Sequence, residues 1–290
     1  MHNFNPKTVT KNGVVIVGFC SNCGYHHLLD LPSPAEIEKR YNSDTFYKYF
    51  APPDWFEKER KEHEAGLWNA AYDYRLSLLG QYETFNGRLF DVGCGAGWFV
   101  KHANSTGKWT AYGYDPSVQA RTIANDWHIL SHKSTDYSLY DAVHMSLVLE
   151  HVLDPLGELR YWVGRMRPVK DKPPRLMVIV PNDFSPLQKR LGTLHYLASA
   201  HLNYFTPETL FHLMTKVGLR VIHASATFPM ELFQIAGMKY IGNDEVGRKC
   251  HMIRLRFEKR HGKCAFRLYQ LLFKLFGWGR EIIMVGEVIK

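Results

Sequence analysis

Three closely spaced glycines set directly behind a short apolar strand constrain this chain more than any other feature. Arg88-Leu-Phe-Asp-Val92 reads as a β-strand that runs into Gly93-Cys94-Gly95-Ala96-Gly97 and then into a helix opened by Trp98. Glycine lets a backbone turn sharply and approach a bound group, and the first turn of the helix offers free N–H groups. The dinucleotide fingerprint is G-x-G-x-x-G. Here the third glycine comes one residue early, and Trp98 occupies the place that fingerprint gives to glycine. Asp91 lies two residues before the first glycine, and the next strand, Trp109 to Tyr114, ends in Asp115. A carboxylate at that point can take both hydroxyls of a ribose.

Further strands and helices alternate along the chain. Leu139–Ser146, Arg175–Val180, Arg220–Thr227 and Glu281–Ile289 read as strands. Residues 54–80 read as one helix capped by Asp54, and Thr206-Pro207-Glu208 opens another that stops at Gly218. The alternation predicts a parallel α/β sheet covered on both faces. Residues 1–53 read as a loosely structured extension with a lone Cys20-x-x-Cys23 pair, residues 54–227 with 279–290 as the core, and 228–278 as a helical insertion.

The motifs together resemble the class I S-adenosylmethionine (SAM)-dependent methyltransferases. The likeness rests on Leu89 to Gly97, Tyr114-Asp115, Leu147-Val-Leu-Glu150-His151-Val152, Val180-Pro-Asn182 and His201-Leu-Asn-Tyr-Phe205-Thr-Pro-Glu-Thr-Leu210. Among such enzymes it is similar to ubiquinone-pathway O-methyltransferases and to sugar methyltransferases of polysaccharide clusters. The resemblance implies a Rossmann-like seven-stranded sheet whose last strand is antiparallel. It implies SAM as methyl donor and S-adenosylhomocysteine as product. It places Asp91, Gly93, Cys94, Gly95, Gly97, Trp98, Asp115, Pro116, Met145 and Ser146 around the donor, with Asp136 toward the adenine amino group.

Methyl transfer needs alignment and, for a hydroxyl or amine, a group that takes a proton. His151 follows Glu150 where open α/β sheets place ligands. His201 and Tyr204 come just before the next helix, and these four are the expected catalytic set. Some relatives hold a metal here, but their first motif glutamate matches Leu147, so no metal is expected. A single C-x-x-C is half of a zinc site. No second pair lies nearby, and His26 and His27 are adjacent, so two unliganded thiols are expected.

Five cysteines at irregular spacing and a polar Met1–Lys11 argue against a disulfide framework and a secretory signal, and a cytoplasmic enzyme is expected. The net charge of +8 is local: residues 248–280 carry +9 and the remainder −1. Such a segment suits a solvated helical face, an anionic membrane surface or nucleic acid. The function expected is methylation at oxygen or nitrogen of a small molecule, a sugar or saccharide-linked acceptor. An RNA methyltransferase and a non-catalytic SAM-binding module are the alternatives.

Overall fold

The computed structural model describes residues 10–12, 15–42, 54–80, 87–124, 128–129, 139–167, 172–192 and 201–289. In chain order the elements are β1 (Thr10–Asn12), β2 (Val15–Cys20), β3 (Tyr25–Leu28), α1 (Pro34–Asn42), α2 (Trp55–Glu64), α3 (Asn69–Leu79), β4 (Gly87–Val92), α4 (Trp98–Ser105), β5 (Trp109–Tyr114), α5 (Val118–Ala124) and β6 (Ala142–Ser146). A single 3-10 turn, Leu149–His151, is followed by α6 (Pro155–Val163), β7 (Arg175–Pro181), α7 (Pro186–Leu191), β8 (Asn203–Tyr204), α8 (Pro207–Lys216) and β9 (Leu219–Ala226). The last elements are α9 (Glu231–Ile235), α10 (Asp244–His261), α11 (Lys263–Phe276) and β10 (Glu281–Val288).

The large sheet has the order β5-β4-β6-β7-β10-β9. Its first four strands are parallel, and β10 runs antiparallel to both neighbours. Leu176 to Pro181 of β7 are buried without alternation, as a strand covered on both faces must be. Phe90, Trp162 and Leu176 lie in the core on one face, Leu89, Met177 and Val285 in the core on the other.

The sheet has six strands among the described residues where seven were expected. A parallel bridge between Gly113 and Ile129 stands on the outer edge of β5, where a seventh strand would pair. The strand expected from Leu139 begins at Ala142. Tyr140 instead pairs with the segment after α6, accepting from Arg167 N at 3.0 Å and donating to Arg165 O at 2.9 Å. The helix expected over 54–80 is two, because Gly66 takes φ +63° between α2 and α3. Asp54 makes no side-chain cap and pairs with Lys58 at 2.8 Å.

The described residues of the N-terminal extension form strands and a helix where a loosely structured segment was expected. β1, β2 and β3 form antiparallel ladders, and β8 adds a fourth strand to them from inside the core segment. The run Val15-Ile-Val-Gly-Phe-Cys20 has strand composition, but Gly18 interrupts its pattern. The insertion folds as α9, α10 and α11. α11 buries Ala265, Phe266 and Tyr269 beside Ala71 of α3 and leaves Arg267 and Lys274 outside.

Asn182, at the end of β7, fixes the return of this insertion to the sheet. Its side-chain amide donates to Gly277 O at 3.1 Å and Gly279 O at 2.9 Å, and its backbone N–H donates to Arg280 O at 2.9 Å. Gly279 is required there, since an added Cβ would lie 2.2 Å from that of Ala226. Replacing Asn182 by Ala leaves two carbonyls without their donor, at about 2–4 kcal/mol. Urea unfolding is expected to show that loss; unchanged stability would show that the insertion is anchored elsewhere.

Candidate functional site

One cavity of about 1350 Å3 opens above the carboxyl ends of β4, β5 and β6. A single small ligand fills about 300–1,000 Å3, so there is room for a donor and an acceptor together. The floor is the glycine turn. Gly93, Gly95 and Gly97 have φ of +66°, +54° and +77°, and a Cβ on Gly93 would meet Val148 Cγ2 at 2.5 Å. The turn is pinned by Gly93 N and Cys94 N, which both donate to Tyr114 O, at 2.8 and 3.1 Å. Asp115 continues the same clamp. Its two carboxylate oxygens accept from Gly95 N at 2.9 Å and Ser117 N at 2.8 Å. Burial raises its pKa, opposed by these two backbone N–H groups. Each oxygen keeps lone-pair capacity toward the cavity that Asp115 lines. The backbone cradle and this carboxylate fit a ribose-bearing donor.

Asp91 and His144 form a buried pair, missed in the sequence because they sit on different strands. The parallel register sets them side by side, and Nδ1 of His144 lies 2.7 Å from Asp91 Oδ1. Burial lowers the histidine pKa while the aspartate raises it, and burial prevails. The imidazole, with Nδ1 against the carboxylate, holds Asp91 at the cavity floor.

Beside the glycine turn, β6 leads into Leu147, a non-glycine residue at φ +59°, and then into the 3-10 turn. The carbonyl of Glu150 accepts from Leu202 N at 2.6 Å, and the amide of Asn203 donates to Leu149 O at 3.0 Å and Val152 O at 2.7 Å. These bonds hold two separate segments together and bring His151 and His201 edge to face, with ring centroids 5.0 Å apart. Glu150 Oε1 lies 4.0 Å from His151 Nε2. Burial pushes the Glu150 carboxyl up to about 8 and the His201 imidazole down to about 3, the latter helped by His151. Asp183 behind them is also held well above the usual carboxylate range by burial. Glu150, His151 and His201 place one donor atom each within 4.8 Å of one another, a grouping that could hold a cation.

The far wall was not foreseen. α2 is rich in charged residues, yet Glu62 is buried and ties separate segments together. It pairs with Arg248, lies 3.1 Å from His251 Nε2, and accepts from Trp68 Nε1 at 2.9 Å. Burial opposes its charge, but the bonds from His251 and Trp68 and the Arg248 guanidinium outweigh it and hold the carboxyl at about 2. Glu59 beside it is pushed up to about 7 by burial and by the Glu62 charge. His63 stacks on Trp98 at 4.7 Å, and Arg75 lies over the Tyr72 ring at 5.7 Å. Part of the basic insertion thus faces inward, where Arg248, His251 and Arg254 line the cavity.

Most expected site residues line this cavity: Asp91, Gly93, Cys94, Gly95, Trp98, Asp115, Pro116, Ser146, Glu150, His151 and His201. Three do not. Met145 is fully buried in the main core, and Gly97 serves as the left-handed residue before α4. Tyr204 is buried with Val17, Leu28 and Leu202, and its hydroxyl donates to His201 O at 3.0 Å, so it positions His201 from behind. Asp136 lies outside the described residues.

A family model described as a methyltransferase domain matches residues 56–224. No curated protein matches the sequence. Among solved structures, phosphoethanolamine N-methyltransferase 2 of Haemonchus contortus, in complex with S-adenosyl-L-methionine, is 13% identical with a TM-score of 0.54, over 97% of this chain and 71% of that one. A SAM-dependent methyltransferase from Archaeoglobus fulgidus is 16% identical with a TM-score of 0.49, over 80% of this chain and 99% of that one. The glycine cradle, the acid at the end of β5 and the matched domain make this chain a member of the SAM-dependent methyltransferase family, with the class I fold.

Proposed function

We propose that this enzyme methylates an oxygen or nitrogen of a small, saccharide-type acceptor seated against His151. SAM supplies an electrophilic methyl group and leaves as S-adenosylhomocysteine. The observation that carries the reading is the position of His151, between the donor turn and a wall of aromatic rings and guanidinium groups. Trp55 and Tyr240 offer faces on which a sugar ring can stack, and Arg75 and Arg280 offer donors to its oxygens. In this reading His151 takes the acceptor proton, and neutral His201 holds the ring edge-on. Asp115 takes the ribose hydroxyls.

The outer surface supports a membrane-linked acceptor. Leu268, Leu271, Leu275 and Phe276 of α11 are exposed between Lys263, Arg267 and Lys274, a pattern suited to an anionic lipid surface. Among the described residues no helix is long and apolar enough to cross a membrane. The exposed bases also leave RNA as a second reading. Incubation of labelled SAM with fractionated cell extract separates the two. Label is expected in a saccharide or lipid-linked saccharide fraction; label in a nuclease-sensitive fraction would overturn the proposal.

Two further outcomes follow from the site. His151→Ala is expected to lower kcat by roughly 10²–10⁴-fold while SAM affinity stays within about threefold, as loss of a proton acceptor alone requires. Equal losses in both would assign His151 to donor binding. Glu150 gives a stability test. With a folded pKa of about 8, above its unfolded value, the native state binds the extra proton, so wild-type stability falls as pH rises from about 4.5 to about 8. Glu150→Gln mimics the protonated form. Its melting temperature relative to wild type is expected to climb across that window, and a difference independent of pH would contradict a buried, protonated carboxyl.

A further inference from the structure

The N-terminal sheet contains a second cluster of ligating atoms, away from the methyl-transfer cavity. β2 ends at Cys20, the chain turns through Ser21-Asn22-Cys23-Gly24, and β3 starts at Tyr25. Gly24 N donates back to Cys20 O at 2.8 Å, and Gly24 takes φ +84° with open space where a Cβ would stand. This tight knuckle turns both cysteines to one side. The register sets Cys20 opposite Tyr25 and Gly18 opposite His27. Residues two apart on a strand share a face, so His27 joins Cys20 there, and Gly18 presents no side chain to crowd the imidazole. The result is a sulfur from Cys20, a sulfur from Cys23 and a nitrogen from His27, all within 4.8 Å of one another. Zn–S of about 2.3 Å and Zn–N of about 2.0 Å put the edges of a tetrahedral site at about 3.5–3.8 Å. A contraction of at most about 1.3 Å suffices.

Burial and chemistry agree with the geometry. Cys20 and His27 are fully buried, and no cysteine is joined in a disulfide. Two soft sulfurs and an imidazole select zinc over the oxygen-seeking divalent cations. β8 brings the fourth element. Asn203 stands directly opposite His27, and opposed residues on antiparallel strands have Cβ atoms about 4.5–5.5 Å apart. Asn203 is fully buried, its amide nitrogen is committed to Leu149 O and Val152 O, and its Oδ1 is buried without a hydrogen-bond partner among the described residues.

We propose that Cys20, Cys23 and His27 form a structural zinc site, with its fourth position facing Asn203. Binding displaces the two thiol protons to solvent and leaves two thiolates on the metal, with no change of oxidation state. The site acts on the cavity at one remove. It fixes β3, β3 sets the register of β8, and Asn203 on β8 holds the carbonyls that flank Glu150 and His151. The metal would thus stiffen the support of the catalytic loop without touching an acceptor.

The test is metal analysis of the full, tag-free chain. Protein purified from zinc-containing medium is expected to carry about one zinc per chain. Cys20→Ser, Cys23→Ser and His27→Ala should lose it, whereas Cys264→Ser and His151→Ala should keep it. If the serine variants do not fold, wild-type protein stripped by a chelator and reloaded with cobalt(II) answers instead, through thiolate-to-cobalt charge transfer and the intense visible bands of a tetrahedral ion. Three results overturn the proposal. One is a chain that stays metal-free after zinc addition with both thiols titratable. Another is a Cys20–Cys23 disulfide in protein kept under reducing conditions. The third is zinc that leaves with His151→Ala, which would assign the metal to the cavity cluster.

Discussion

The clamp of the Tyr114–Asp115 segment on the glycine turn is the interaction from which the rest of the site is built. Three residues in left-handed conformation within five positions have little intrinsic preference for a single shape. The Tyr114 carbonyl and the Asp115 carboxylate supply it, by accepting three consecutive turn N–H groups, from Gly93, Cys94 and Gly95. The same bonds lock the tip of β4 to the tip of β5. They aim α4 at the cavity and keep the Asp115 carboxylate facing it. Val148 closes against Gly93 so tightly that no side chain fits there, and this contact joins the donor floor to the loop that carries Glu150 and His151.

That loop has little structure of its own. Its geometry comes from β8, through the Leu202 and Asn203 bonds to Glu150, Leu149 and Val152. β8 in turn belongs to the N-terminal sheet, so the extension holds Glu150, His151 and His201 in place. The opposite wall depends on Glu62, which joins α2 to Trp68, just ahead of α3, and to Arg248 and His251 of α10. The glycine turn, the loop carrying Glu150 and His151, and the far wall are therefore three separately braced parts that meet at one cavity.

Legibility in the sequence followed the range of the interactions. The turn, the strand ending in Asp115 and the capped helix at Thr206 depend on neighbours within a few residues, and their letters show it. Thr206 caps its helix and Pro207 takes the first helical position as expected, and Thr209 adds the return half of a capping box. The Glu150-His151 pair was also visible, because it sits beside the strand end that positions it. What stayed hidden depends on partners far along the chain. Glu62 lies in a run of charged residues and is buried only because Arg248 and His251 reach it from α10. Tyr204 reads as a pocket residue, yet the strand pairing of Asn203–Tyr204 turns its ring into the N-terminal sheet. His27 looked redundant beside His26, until the hairpin register placed it on the face of the two thiols.

The claim on which all of this stands is that the clamped turn is a SAM site. Isothermal titration of the purified chain with SAM, with NAD as the competing candidate, tests it directly, using Asp115→Ala as the site variant. SAM is expected to bind at one site per chain, and loss of the bidentate carboxylate is expected to weaken it by at least about tenfold. Binding of NAD without binding of SAM, or SAM affinity indifferent to Asp115, would contradict it.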